Sequence, residues 1–326
     1  MSTRDRLLGV TVAVLWGLNF LAIRVGLDHF PPFFFAGFRF LIIAVPVVLF
    51  VRRPNVPLKW LLLYGFGFGF LQFAFLFAAM NAGMPTGLAS LVLQSSAPFT
   101  VVLGALLLRE RVSRRQIIGI TVAVAGMAII GYDRAQAAAL IPVVLTLLAG
   151  LGWAFGNLGN KLARSTDSPP AVSALPEPMR LMLWMCVVPP IPMLALSAAT
   201  EGPSAGWHAV ATSFSLDGWP ALVGLAYIVL LGTIAGSGLW TSLMSRHPAG
   251  VVAPFSLLVP VVGIAGAWAF LHETPSVLSL IGAGVVIAGC LGGMARPPKA
   301  AETAPHEIRT SERAPDPFRS STPAST

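Results

Sequence analysis

Two stretches of this sequence carry the same pattern, and this duplication constrains the fold more than any other feature. Each is an apolar segment with a proline near its middle, followed by a glutamate, a short polar break and a second apolar segment. After the glutamates, Glu110 and Glu273, the spacing Glu-x8-Gly-x6-Gly is identical. Each apolar segment is long enough to cross a bilayer, which takes ~20 residues. The pattern therefore predicts a duplicated membrane protein built from helical hairpins.

The composition supports the same class of protein. Hydrophobic residues make up 56% of the 326 residues and charged residues only 10%, whereas soluble domains carry about a quarter charged residues. Cys186 and Cys290 fall inside apolar runs without metal-type spacing. The net charge of +8 comes from basic residues scattered over loops, which argues against a nucleic-acid partner. We expect a lipid bilayer and a small-molecule substrate as partners, with no metal and no cofactor. Monomer and homodimer both remain open.

Turn-forming residues divide the chain into ten apolar segments. The predicted spans are residues 7–27, 33–51, 58–81, 86–108, 115–132, 138–163, 175–199, 219–244, 249–271 and 276–294. The first resembles a signal peptide, but no small-residue cleavage site follows it, so we expect an uncleaved helix. Proline, serine, threonine and mixed charge predict a disordered tail over 295–326.

Lysine and arginine predict the orientation, because short cytoplasmic loops carry an excess of them. One side of the predicted membrane collects twelve: Arg4, Arg6, Arg52, Arg53, Lys59, Arg109, Arg111, Arg114, Arg115, Lys161, Arg164 and Arg246. The other side collects only Arg134. Both termini, and with them the tail, are therefore expected in the cytoplasm.

Five spans in each half would insert the second half upside down, giving repeats over 1–134 and 135–294. Trp16 precedes Arg24 by eight positions, and Trp153 precedes Lys161 by eight. Arg24 falls near the outer end of its span and Lys161 near the inner end, as inversion requires. Inverted repeats are typical of secondary transporters, which bind substrate near the bilayer midplane. The sequence predicts an all-α transporter of ten transmembrane helices in two inverted five-helix repeats, working by alternating access.

Several motifs carry a resemblance to a known family. They include Trp16-Gly17-Leu18-Asn19-Phe20, Gly83-Met84-Pro85, Gly87-Leu88-Ala89-Ser90 and Ser256-Leu257-Leu258-Val259-Pro260. Over residues 5–294 the chain resembles the EamA-type transporters of the drug/metabolite transporter superfamily, and it is similar to the O-acetylserine/cysteine exporter subgroup. It departs at Arg180, where apolar residues are expected. The resemblance implies an inner-membrane exporter of amino acids or related metabolites; purine nucleosides and cationic drugs are the alternatives.

Polar groups inside the predicted spans are candidates for a substrate site, since a central charge costs roughly 2.5–3.5 kcal/mol on insertion scales. Gln72 lies in the middle of span 3; Gln94 and Ser95 lie in span 4 shortly before Pro98. A proline at that depth frees a carbonyl and bends the helix, so Pro98 and its counterpart Pro260 are predicted kink or gating positions. The polar groups either line a cavity or only hold neighbouring helices together.

Two tryptophan–amide pairs are further candidates. Asn157 follows Trp153 by one helical turn, and Asn19 follows Trp16 by three residues. An indole beside an amide can hold the apolar part and the polar head of an amino acid; tight helix packing is the alternative. Arg39 is the in-span charge that we expect to receive a substrate carboxylate. Its alternative role is to reach the headgroups.

Span 8 offers Tyr227 and Trp240 as a second wall of the cavity, with core packing equally open. Spans 3 and 8 each carry two glycines four apart, Gly65 with Gly69 and Gly232 with Gly236, which let helices approach closely. We expect these surfaces to slide during transport.

The remaining charged groups receive structural roles. Glu177 and Arg180 are expected to pair on one helix face, and Glu110 and Glu273 are expected to cap neighbouring amides at the ends of spans. An integral membrane enzyme or a receptor is the remote alternative function. The five histidines are isolated in the sequence, and no nucleotide or metal motif is present.

Overall fold

Wherever its structure is described, the chain is helical or forms turns between helices, with no strand. The computed structural model describes residues 1–109, 112–136, 140–164, 175–247 and 249–293. All of these belong to one compact unit. Glu110, Arg111 and the predicted tail 295–326 lie outside the described residues.

Two long helices of the first half are each interrupted by a segment that is not α-helical. The helices are α1 (Thr3–Leu27), α2 (Pro32–Phe50), α3 (Leu58–Tyr64), α4 (Gln72–Asn81), α5 (Thr86–Val92), α6 (Ser96–Leu108) and α7 (Arg114–Gln136). A π-helical segment, Gly65–Leu71, joins α3 to α4. A 3₁₀ segment, Leu93–Ser95, joins α5 to α6.

The second half shows the same two interruptions. Its helices are α8 (Leu140–Arg164), α9 (Glu177–Met185), α10 (Pro190–Thr200), α11 (Ala205–Thr212), α12 (Trp219–Ala226), α13 (Ser237–Arg246), α14 (Ala249–Val252), α15 (Leu258–Leu271) and α16 (Val277–Gly293). A π-helical segment, Tyr227–Gly236, joins α12 to α13. A 3₁₀ segment, Ala253–Leu257, joins α14 to α15.

Eight helical stretches of the described chain are long and apolar enough to cross a membrane. A ninth, Val277–Gly292, is apolar but shorter, and α7 is not among the eight. Large apolar side chains face outward, such as Phe50 at 83% and Leu106 at 72% exposure, whereas Arg39 is buried. This distribution suits a hydrocarbon environment rather than water. The count of ten spans stays a prediction.

The structure divides predicted span 7 and adds a helix that the sequence did not predict. Residues 186–189 separate α9 from α10, because Pro189 and Pro190 have no amide hydrogen to continue the α-helical bonding. The added helix is α11, where Trp207 packs edge-on against Phe34 and Phe38 of α2. Eight residues of mixed polarity are too short to be recognised as a span.

The interruptions coincide with the prolines and glycines that the sequence singled out. Pro98 and Pro260 are each the third residue of the α-helix that follows a 3₁₀ segment. A proline cannot donate a hydrogen bond to the carbonyl four residues earlier, so regular bonding stops there. The predicted glycine pairs of spans 3 and 8 lie in the two π-helical segments. A gating role for the prolines stays a prediction.

The duplicated glycines meet at the contact between α7 and α16. A Cβ atom at Gly126 would lie 2.7 Å from the Val286 nitrogen and 2.8 Å from the Gly282 oxygen. One at Gly289 would lie 2.7 Å from the Gly119 oxygen. Only glycine allows two backbones to approach this closely. The repeated Gly-x6-Gly spacing is therefore explained by one helix contact that both halves supply.

Candidate functional site

A central cavity lies among helices from both halves of the chain. Its interior gives about 80 Å³ to the centres of water-sized spheres, and the cavity is partly open to solvent. Six of the ten predicted substrate-binding residues line it: Trp16, Asn19, Arg39, Gln72, Gln94 and Trp153. The structure thus brings together residues that are up to 137 positions apart, from Trp16 to Trp153.

All four interrupted segments contribute to the cavity wall. Phe68 and Thr233 come from the two π-helical segments, and Gln94 and Ser256 come from the two 3₁₀ segments. Irregular helical segments at membrane depth are tolerated where they are buried in protein or line a cavity. π-Helical segments are also frequent at functional sites. In the described part of the chain, the two π-helical and two 3₁₀ segments therefore all border the central cavity.

Two side chains of the cavity bond to carbonyl groups of the irregular segments. The Trp16 Nε1 donates to the Gly232 oxygen at 3.0 Å, and the Gln94 Nε2 donates to the Ser256 oxygen at 3.1 Å. The second bond connects the 3₁₀ segment of one half directly to that of the other. Both bonds cross between the two halves of the sequence, so the cavity depends on their relative arrangement.

Arg39 is a buried cation with 1% exposure. Its guanidinium carbon lies 3.6 Å from the Phe73 ring centroid, 4.3 Å from that of Phe40 and 5.7 Å from that of Phe77. Its Nε has no hydrogen-bond partner, and in the described chain it makes no ion pair. The aromatic rings orient the guanidinium, but they do not neutralise it.

Two amide oxygens at the cavity are also buried without a partner. They are Asn19 Oδ1 on α1 and Gln72 Oε1 on α4. Gln72 is 3% exposed, and Asn19 lies against the Cα atom of Gly232, where a Cβ atom would clash with its amide. Buried polar atoms are normally satisfied, and each one left without a partner calls for an explanation.

Aromatic side chains form the apolar part of the cavity. Trp153 packs edge-on against Phe68 with ring centroids 5.7 Å apart. Trp16 contacts Trp240 at 5.2 Å. The helix carrying Trp16 packs on the π-helical segment of the second half, and the helix carrying Trp153 packs on that of the first. The cavity therefore combines indole and phenyl walls with a few polar groups.

Comparison with known proteins decides the class. The EamA-like transporter family matches residues 6–132 and 140–293. The chain belongs to this family. An EamA-like transporter is an integral membrane protein, in agreement with the apolar helices described above.

Two relatives of this EamA-like transporter carry the name "Probable amino-acid metabolite efflux pump". The one from Escherichia coli (strain K12) is 42% identical over 291 residues, covering 89% of this chain and 94% of the relative. The one from Salmonella typhimurium is 43% identical with the same coverage. A crystal structure with 18% identity has a TM-score of 0.57 and covers 90% of this chain and 96% of its own. At that identity the likeness shows the fold alone.

Four predicted site residues of this EamA-like transporter are not part of the cavity lining. Asn157 donates from Nδ2 to Thr100 Oγ1 at 3.0 Å, and Tyr227 donates from its hydroxyl to the Leu15 oxygen at 3.1 Å. Ser95 is fully buried and lies against Gly150 of α8. Trp240 contacts Trp16, which itself lines the cavity. Each of these four side chains contacts a neighbouring helix.

The lining also contains residues that the sequence did not single out as candidates. Examples are Phe68, Phe73, Thr233 and Ser256. In an all-apolar span, phenylalanine carries no signal of its own. The one available signal was position, since Phe68 lies inside the predicted glycine pair of span 3. Irregular backbone was not predicted there.

One expectation for the charged groups of this EamA-like transporter is confirmed, and a second is met only in part. Arg180 forms an ion pair with Glu177, and the other Glu177 oxygen accepts from the Asn55 amide at 3.1 Å. Glu273 accepts from the Gly87 amide at 3.3 Å, so it caps α5 of the other half rather than an amide of its own hairpin. Glu110 lies outside the described residues. In the described part of the chain, no three His, Cys, Asp or Glu residues are grouped as metal ligands.

Proposed function

We propose that this transporter exports amino acids or their derivatives, of the cysteine and O-acetylserine kind, by alternating access through the central cavity. The observation that carries the proposal is the lining itself: one buried cation without a counter-ion, a few amides, and aromatic walls. A small zwitterion with a short side chain offers matching chemistry. The names of the two relatives support the same substrate class.

A cationic drug fits this cavity poorly. Arg39 would repel it, and no Asp or Glu is present among the residues that line the cavity. A purine nucleoside could stack on the indole rings, yet it would leave the Arg39 cation unneutralised. The lack of an acidic residue in the lining also removes the usual proton carrier from the cavity, so export down a concentration gradient fits the lining.

The proposed architecture is ten transmembrane helices in two inverted repeats, residues 1–134 and 135–294, followed by a disordered tail. Recurring features support it. Besides the π and 3₁₀ segments, the last residue before each repeated glutamate has a left-handed backbone, Arg109 at φ 55° and His272 at φ 53°. Such positive φ values are uncommon outside glycine, so their recurrence at matching positions favours a duplicated hairpin.

The inverted orientation yields a prediction about topology. Reporter fusions after Arg53, Arg164 and Arg296 are expected to be cytoplasmic, and fusions at Asn81 and Arg134 periplasmic, because basic residues are retained in the cytoplasm. Paired alkaline phosphatase and fluorescent-protein fusions measure both sides at each position. A cytoplasmic result at Arg134 would contradict the inversion of the second half.

The function is tested by comparing cells that lack the gene, cells that carry it and cells that overexpress it. We expect overexpression to raise the amount of cysteine or O-acetylserine in the medium. After a pulse of a precursor of these compounds, we expect them to accumulate inside the deletion strain. The full set of amino acids, nucleosides and a cationic dye is measured in the same samples. An unchanged amino-acid profile with increased export of another class would overturn the proposed substrate and leave the fold intact.

A further inference from the structure

Three buried polar atoms around the cavity lack a hydrogen-bond partner, and they differ in chemical type. Arg39 Nε is a donor on a cation, whereas Asn19 Oδ1 and Gln72 Oε1 are acceptors. All three residues line the same space. A protein interior satisfies nearly all its buried polar groups. Three exceptions on one cavity indicate a ligand that supplies one acceptor and two donors.

An α-amino acid supplies both in one small head group. Its carboxylate accepts hydrogen bonds and supplies the negative charge that would neutralise the Arg39 guanidinium. Its ammonium has three N–H donors, as a lysine head does, and two of them match the two amide oxygens. These three residues come from α1, α2 and α4, so one head group would connect three helices.

We propose that Arg39 binds the carboxylate and that Asn19 and Gln72 bind the ammonium of the transported amino acid. This inference rests on the proposed function and adds the selectivity that follows from it. An amine without the carboxylate leaves Arg39 unneutralised and brings a second cation beside it. An acid without the ammonium leaves both amide oxygens unpaired. The cavity therefore selects zwitterions over either kind of truncated analogue.

The other partnerless polar atoms in the described chain separate this reading from general helix packing. Thr86 Oγ1, Ser95 Oγ and Arg180 Nε also lack a partner, but none of these residues lines the cavity. Arg180 already has its carboxylate in Glu177, whereas Arg39 has aromatic rings in place of one. The donor and acceptors without partners at the cavity therefore form a distinct group.

The test uses the purified full-length protein in liposomes, with uptake of labelled cysteine under reducing conditions. Two competitors keep the thiol end and lose one charge each: cysteamine lacks the carboxylate and 3-mercaptopropionate lacks the ammonium. In the wild type we expect both to compete at least about 10-fold more weakly than unlabelled cysteine, since each leaves buried groups unpaired.

Single substitutions then assign each end of the head group. Asn19→Leu and Gln72→Leu are each expected to weaken the binding of cysteine about 5- to 100-fold, with little change in the binding of 3-mercaptopropionate. Arg39→Gln is expected to weaken the binding of cysteine similarly, whereas cysteamine should bind better than it does to the wild type, because its ammonium no longer lies beside a second cation. Thr86→Val removes a partnerless buried hydroxyl outside the cavity, and its competition ratios should equal those of the wild type. Arg39→Lys, which keeps the cation, should recover part of the loss.

Melting temperature and monodispersity of each variant separate binding from folding. Suppose the wild type takes up cysteine but each substitution weakens the binding of cysteine and of both analogues equally. The assignment of the carboxylate and ammonium to these residues is then wrong, and the proposed function stands. If unlabelled cysteine, cysteamine and 3-mercaptopropionate compete equally well for uptake by the wild type, the proposed selectivity for zwitterions is wrong. If the wild type recognises no amino acid, the proposed function fails and this inference fails with it.

Discussion

Replacing Gly156 by alanine is expected to reduce export at least about 10-fold and to lower the melting temperature by about 5 °C or more. The added Cβ atom would lie 2.6 Å from the Phe68 nitrogen and 2.9 Å from its Cα atom. These are backbone atoms of the π-helical segment, so no side-chain rotation relieves the clash. The segment would have to move away from α8 and would carry Phe68 out of the cavity wall. Export normalised to membrane-inserted protein and thermal unfolding in detergent are the measurements.

Gly284→Ala in α16 is the matched control, since no atom lies within 4 Å of its added Cβ. Alanine is favoured over glycine in helices by about 1 kcal/mol, so this variant should be as stable as the wild type or slightly more. Equal behaviour of Gly156→Ala and Gly284→Ala would show that the crossing of α8 and the π-helical segment tolerates separation. The close approach would then not be needed for transport.

Gln94→Leu is expected to reduce export about 5- to 100-fold while the amount of protein in the membrane stays nearly constant. The substitution removes the Nε2 donor that joins the two 3₁₀ segments through the Ser256 carbonyl. It also removes an amide from the cavity. Leucine has a similar volume, so the packing of α5 and α6 should survive. Export per unit of inserted protein is the measurement.

Gln116→Leu provides a control with the same chemical change at a different place. The Gln116 side chain accepts from the Ser113 amide near the start of α7 and is not part of the cavity. Its loss should weaken only a helix end, a cost of about 1 kcal/mol. If Gln94→Leu and Gln72→Leu both transported at the wild-type rate, the amides would serve only to hold helices together.

These predictions depend on one architectural feature, the grouping of irregular helical segments around a single space. In a membrane, each backbone group freed from α-helical bonding must find another partner inside the protein. Here the Trp16 indole and the Gln94 amide provide two such partners. The interruptions therefore form part of the cavity wall.

Much of the fold followed from local properties of the sequence. Composition and turn residues predicted a helical membrane protein, because hydropathy and segment length decide what can cross a bilayer. The motifs separately predicted its family. The repeated glycine spacing indicated a duplication, and the structure then placed these glycines at the contact of α7 with α16, where only glycine permits that backbone approach. The Glu177–Arg180 pair was predictable because residues three apart share a helix face.

The direction in which each polar side chain points was decided only by the tertiary structure. Asn19 and Asn157 occupy similar positions beside a tryptophan, yet Asn19 lines the cavity and Asn157 bonds to Thr100. In a soluble helix the polar face reveals the inside; here lipid and protein interior are equally apolar, so that periodic signal is missing. The π-helical segments were hidden as well. In the first of them, a Cβ atom at Gly67 would clash with the Gly156 nitrogen of α8, and the sequence of one helix does not show which helix packs against it.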